Sequence, residues 1–310
     1  MCNCYYIRHN EYRKVERNDK IMKETTSIAK KISTTKVVLG IVFSILILIV
    51  AQLLAFMISE VPLNLGVSGS ICNIIAGTLY VVLTFIGVSV LCKKFFKIPM
   101  TEMRIPHFKV KGIWLMVSIF MPVLVVIFSI IAGGYWKINT LDRETTLATI
   151  TSAIVFFGLA TGIVEEVIFR GIIMRCLEMR FNIQIAIIVP SVLFGALHII
   201  GNELDFISTI QVLIAGSVVG ILFSLIAYQS KSIWNNAIVH SIWNMAFVGG
   251  ILYIGNNTDS SSLFNFVLRN DNFLISGGDF GIEASIISIF VYLVFCTLTV
   301  VFLKKKNNTL

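Results

Sequence analysis

Eight apolar blocks, most of them near 20 residues long, fill this chain: 37–58, 70–91, 113–133, 148–169, 183–200, 207–228, 233–254 and 284–303. About 20 such residues wound as a helix cross a hydrocarbon layer roughly 30 Å thick. Backbone groups in hydrocarbon need partners inside the fold, so only helices or closed barrels span it. A barrel shows short alternating segments instead. The blocks therefore predict an all-α fold, a polytopic transmembrane helical bundle of about eight spans. Composition agrees, with 56% hydrophobic and 14% charged residues where soluble domains carry about 25% charged. These values exclude a soluble globular domain, a disordered chain and a nucleic-acid binder.

The net charge of +8 follows topology. With the N-terminus inside, 22 Lys and Arg fall on inner segments; only Lys137, Arg143 and Arg269 fall outside. Asp and Glu divide 8 to 9 between the same two sides, so the asymmetry lies in the basic residues alone. That bias puts both termini in the cytoplasm. The expected organisation is a basic cytoplasmic arm (1–36), three helices with their loops (37–147), a four-helix core (148–254), an extracytoplasmic loop (255–283), and a last helix with a basic tail (284–310). Cys2, Cys4, Cys72, Cys92, Cys176 and Cys296 form no C-x-x-C pair and read as free thiols. The N-terminus does not read as a secretory signal, and Met22 offers a second start.

Ionisable side chains inside a membrane are costly and mark function. Here they are Glu165, Glu166, Arg170, His198 and His240, while His9 and His107 fall outside the spans. In Glu165-Glu166-Val-Ile-Phe169-Arg170, the i,i+4 spacing puts Glu166 and Arg170 on one helix face. Glu165 points about 100° away, free to face a cavity. An ion pair at a helix end is the plainer reading of such a pair. In Phe194-Gly-Ala-Leu-His198, a hydrogen-bonded core histidine is the plainer reading. His240 and Asn244 share a face, as an interhelical hydrogen-bonding pair also would. Gly216-Ser-Val-Val-Gly220 predicts close helix packing.

These elements converge if the fourth and fifth blocks form a hairpin turning at Arg180–Asn182. Glu165 and His198 then both lie about 22–24 Å from the turn, by helical rise. His240 lies about 14 Å past Lys231 by the same rise, a level that agrees if the hairpin tip projects about 8–10 Å into the cytoplasm. A carboxylate, two imidazoles and a carboxamide at one depth suit peptide hydrolysis: Glu165 and His198 on a water, His240 and Asn244 on a developing oxyanion. Glu165, His198 and His240 are also zinc-type donors. With H-E-x-x-H absent, any metal site would be assembled from separate helices, and a divalent metal such as zinc stays an open cofactor.

The sequence resembles the CPBP family, the CAAX-protease and bacteriocin-processing membrane proteins also called Abi proteins, and is similar to type II CAAX prenyl endopeptidases. The resemblance rests on E-E-x-x-x-R at Glu165-Glu166…Arg170, F-x-x-x-H at Phe194…His198, and H-x-x-x-N at His240…Asn244, in order and on separate blocks. It covers roughly 148–250. It implies an intramembrane endopeptidase in which Glu165 and His198 activate water, His240 and Asn244 form the oxyanion hole, and Glu166, Arg170 and Phe194 support the site or bind substrate. The implied partners are the lipid bilayer and a peptide or membrane-protein substrate. The founding substrates of that family are prenylated C-terminal CAAX peptides. The Ile-, Lys- and Asn-rich composition resembles that of a low-GC bacterium, whose plasma membrane lacks them, so peptide maturation, bacteriocin self-immunity or regulated proteolysis is the implied role. Asn235 and Asn236 are two further amides without an assigned part.

Four rival readings arise at the level of sequence. Gly66-Val-Ser68-Gly69 matches a rhomboid-like G-x-S-G, but Ser68 lies at the outer end of the second span while His240 lies nearer the inner side; Ser276-Gly-Gly-Asp279, of the G-x-G-D aspartyl type, misses the first Gly and lies in an outer loop. A proton-coupled transporter would use Glu165 and the histidines as a relay, against the absence of a visible repeat. A non-catalytic scaffold or immunity protein would keep the same fold.

Overall fold

The computed structural model describes residues 32–308. Most of the basic arm, with Cys2, Cys4, His9 and Met22, lies outside them. Each apolar block carries a helix: α1 (Thr34–Asn64), α2 (Gly69–Val90, extended by a π-helical turn Leu91–Phe96), α3 (Gly112–Ala132), α4 (Arg143–Arg180), α5 (Ile183–Leu197), α6 (Phe206–Ser230), α7 (Trp234–Phe247) and α8 (Ile286–Asn308). Starts are set by side chains that accept the orphan amides of a first turn. Ser33 accepts from Lys36, Asp142 from Glu144 and Thr145, Asn182 from Ile185, and Asp205 from Ser208.

Six of these helices are long and apolar enough to cross a membrane. The shortfall from eight lies in α5 and α7, with 15 and 14 residues. At 1.5 Å per residue each is only about 21–23 Å long. The expected fifth span stops at His198, where the chain turns through 198–201, and the seventh ends before Gly249-Gly250. Exposed Leu, Ile and Met on α1 and α3, such as Leu53, Met57 and Ile131, give these helices the apolar outer face of a multi-pass membrane protein.

The fold is not purely helical. The two segments expected as polar connections pair with each other. β1 (Gly134–Ile138) runs antiparallel to β3 (Phe264–Leu268), which pairs in parallel with β2 (Leu252–Gly255), in the order β1-β3-β2. Gly134 stands opposite Leu268 and Leu252 opposite Phe264. Asn139 Nδ2 donates to the Asp259 and Ser262 carbonyls at 2.7 Å each, pinning this cap. At the other end of the bundle the basic segments meet. Arg180 Nε donates to Thr34 Oγ1, Arg175 Nε to the Glu102 carbonyl, and Trp234 Nε1 to the Pro106 carbonyl. Cys72, Cys92, Cys176 and Cys296 are free thiols.

α4 is the centre. Val167–Ile173 is buried at every residue, and α1, α5, α6 and α7 pack around the helix. It winds as α-helix except for two π-helical stretches, Ser152–Thr161 and Val167–Ile173, which flank the Glu165-Glu166 pair. The chain reverses at Phe181–Asn182, so α4 and α5 form the expected hairpin. α5 and α6 approach through the predicted small residues. A Cβ on Gly216 would lie 2.6 Å from the Gly195 Cα, and one on Gly220 would lie 2.8 Å from the Ser191 Cα.

Candidate active site

Glu166 and Arg170 lie one helical turn apart, both fully buried, with Oε1 and Nη1 at 2.9 Å. The i,i+4 geometry survives because the side chains leave the same face of α4. A buried pair needs further hydrogen bonds to offset the loss of water. Arg170 Nη2 supplies one to the Gly220 carbonyl at 3.0 Å. The rings of Phe194, Phe223 and Phe169 surround its guanidinium, at 4.8, 5.2 and 5.6 Å.

α7 supplies the next layer. Asn236, His240 and Asn244 recur every four residues and form one stripe against α4. The approach is permitted by Gly162, where a Cβ would lie 2.6 Å from Ser241 Oγ. Asn236 Nδ2 donates to Glu166 Oε2, and His240 Nδ1 lies 2.9 Å from Glu166 Oε1. A carboxylate only accepts, so Nδ1 carries the hydrogen. His240 Nε2 then faces Glu165 Oε2 at 3.6 Å, beyond hydrogen-bond distance, with a bare lone pair in the neutral ring and an N–H in the imidazolium. Asn244 Nδ2 donates at 3.0 Å to the carbonyl of Phe157, in the first π-helical stretch.

α5 supplies His198, its C-terminal cap. His198 Nδ1 lies 2.7 Å from the Phe194 carbonyl. A carbonyl accepts only, so this bond puts the hydrogen on Nδ1 and leaves the Nε2 lone pair free. The Phe194 ring is the hub of the assembly, with centroids 4.5 Å from His198, 5.8 Å from His240 and 5.2 Å from Phe169.

Glu165, His198, His240, Asn244 and Phe194 all line one cavity of about 510 Å³. Glu166 and Arg170 are not among its lining residues and are closed off at 0% exposure, whereas Glu165 keeps 17%. One carboxylate is thus structural and its neighbour accessible, as the 100° offset predicts. Ser68 precedes the first residue of α2, without a side-chain capping bond, and is not among the lining residues. Among the described residues no three His, Cys, Asp or Glu side chains gather as a ligand set, so Glu165, His198 and His240 share a cavity without the convergence a zinc site needs.

Several lining residues carried no signal in the sequence. Phe223 stacks on His240 at 4.7 Å and reads there as one more apolar residue. Glu283, on the short helical turn Ile282–Ala284, enters the cavity wall, and its Oε1 accepts from Trp243 Nε1 at 2.7 Å. Burial raises its carboxyl above the ordinary value, opposed by the Trp243 hydrogen bond and by His198 and His240. Asn236 did have a signal, namely its place four residues before His240.

No curated protein and no solved structure matches the chain. Residues 147–246, which hold Glu165, Glu166, Arg170, Phe194, His198, His240 and Asn244, match the family model of the Rce1-like type II CAAX prenyl endopeptidases, so this stretch is similar to the membrane CAAX proteases that its three motifs resemble.

Proposed function

We propose that the chain is an intramembrane endopeptidase that hydrolyses a peptide bond in a membrane-associated peptide or protein. The observation that carries this reading is the convergence of Glu165, His198, His240 and Asn244, from three helices, on one cavity. Glu165 takes a proton from the attacking water, and the free Nε2 of His198 accepts from the same water. As the imidazolium, His240 offers Nε2–H to the developing oxyanion, joined by the second amide hydrogen of Asn244. With His240 charged, Glu165, Glu166, Arg170 and His240 sum to zero, a favourable balance in a low-dielectric interior. The basic end of the bundle is the cytoplasmic one, on the bias of 22 Lys and Arg against 3. The role is peptide maturation, bacteriocin self-immunity or regulated proteolysis in a plasma membrane, with substrates other than prenylated CAAX termini.

The test compares new protein N-termini in membranes of a deletion host expressing wild type or Glu165→Gln at equal levels. Cleavages that vanish only in the variant support the peptidase. Identical N-terminal profiles overturn it in favour of the scaffold reading, and proton flux that follows Glu165 would favour the transporter.

A further inference from the structure

The acidic side chains lining the cavity are Glu165 and Glu283, and among the described residues no Lys or Arg joins them; with His240 charged, Glu165, Glu166, Arg170 and His240 balance, and Glu283 is the carboxylate left over. Glu283 lies outside the stretch that matches the family model. Its place is built rather than incidental. Ser288 Oγ donates to the Ile282 carbonyl at 2.6 Å and Tyr292 Oη to the Glu283 carbonyl at 3.2 Å, fixing the turn on α8. Trp243 Nε1 then aims the carboxylate from α7, one residue before Asn244 and three after His240. Glu283 is close enough for its charge to be felt by His198, His240 and Glu165. A carboxylate removed from water keeps its charge at a cost unless a cation or donors replace the solvent. Trp243 supplies one donor, and among the described residues no basic side chain pairs with Glu283.

We propose that Glu283 is the specificity-determining residue of the cavity, selecting a peptide that carries a basic side chain beside the scissile bond and rejecting a free C-terminal carboxylate there. A Lys or Arg entering the cavity restores the missing counter-charge, while a carboxylate would face Glu165 and Glu283 together. This substrate class rests on the peptidase reading above.

The experiment uses the full chain in detergent micelles and apolar fluorescent peptides. Each carries one Lys, Gln or Glu, walked along its length, and each has an amidated or a free C-terminus. Cleavage is followed with wild type, Glu283→Gln and Glu283→Asp, and binding by anisotropy with Glu165→Gln. Lys peptides are expected to be cut, and bound, about tenfold better than their Gln counterparts, the scale of a partly desolvated charge pair. Glu peptides and free C-termini should be worst. Glu283→Gln should bring the Lys-to-Gln ratio towards one, and Glu283→Asp should retain it. Equal binding of Lys, Gln and Glu peptides by Glu165→Gln, or an unchanged ratio in Glu283→Gln, overturns the assignment. Cleavage with no charge preference removes the role of Glu283 and leaves the peptidase standing. A charge preference in binding without any cleavage does the reverse.

Discussion

His240 is held by Glu166: its Nδ1 lies 2.9 Å from Glu166 Oε1, so the ring presents Nε2 to Glu165 and the cavity. The same carboxylate receives Arg170 on Oε1 and Asn236 on Oε2. The tandem Glu165-Glu166 therefore divides its labour. One carboxylate is a buried acceptor for three donors on two helices, and the other reaches the cavity.

Glu166→Gln should accordingly cost stability as well as activity. The amide keeps the shape, but its NH2 opposes either Arg170 and His240 at the Oε1 position or Asn236 at the Oε2 position, and the guanidinium loses its counter-ion. Breaking one side of a buried pair costs about 3–5 kcal/mol. Thermal unfolding in detergent should show the loss, and the double variant Glu166→Gln/Arg170→Met should recover part of it. A Glu166→Gln protein as stable as wild type would contradict the buried-acceptor assignment.

Glu165→Gln should separate the two properties. Its Oε2 has no hydrogen-bond partner, and the side chain is partly open to the cavity. Stability should change by less than about 1 kcal/mol, while removal of a general base lowers turnover by about 10²–10⁴-fold. Unfolding and cleavage measured on the same preparation check both, and a variant that unfolds like Glu166→Gln would refute the distinction.

The helices and the gathering of the motifs were legible because hydrocarbon admits few alternatives: apolar blocks set the elements, and rare ionisable residues marked the cavity. The hairpin was legible because the only break between the fourth and fifth apolar blocks lies at Arg180–Asn182, and α4 and α5 reverse within it, at Phe181–Asn182. What escaped depends on long-range pairing. β1 finds β3 across more than a hundred residues, with no alternating pattern in Gly134–Ile138 to announce it. Glu283 looked like the polar end of a loop, since only the packing of α7 brings Trp243 to it. The early stop of α5 at His198 was hidden because Ile199 and Ile200 continue the apolar run.

Acid should loosen two helix starts first. Thr145 hydrogen bonds hold the Asp142 carboxyl below the usual carboxylate value, and a backbone bond from Ser208 does the same for Asp205. A carboxyl depressed in the folded state stabilises at pH above its unfolded value near 3.8, and that contribution fades as pH falls through the folded value. Both caps should therefore be intact at neutral pH and weaken below the usual carboxylate range. Amide exchange at Glu144, Thr145 and Ser208 should accelerate there, and Asp142→Asn with Asp205→Asn should remove the pH dependence while keeping a capping oxygen. Exchange at these amides that is flat with pH in wild type, after allowance for intrinsic rates, would defeat the prediction.

The approach of α5 to α6 should control catalysis from a distance. His198 ends α5, three residues past Gly195, and Gly195 meets Gly216 with no room for a side chain. Gly216→Leu must push the helices apart, at about 1–3 kcal/mol for overpacking. The larger consequence is displacement of His198 relative to Glu165, and a misplacement near 1 Å costs about 100-fold in rate. Ile214→Leu, on the outward face of α6 at 49% exposure, adds no volume at that contact and should change neither stability nor cleavage. The expected pattern is thus a modest fall in unfolding temperature with a disproportionate fall in kcat for Gly216→Leu alone. Equal kcat in the two variants would mean that His198 is positioned by something other than the Gly195–Gly216 contact.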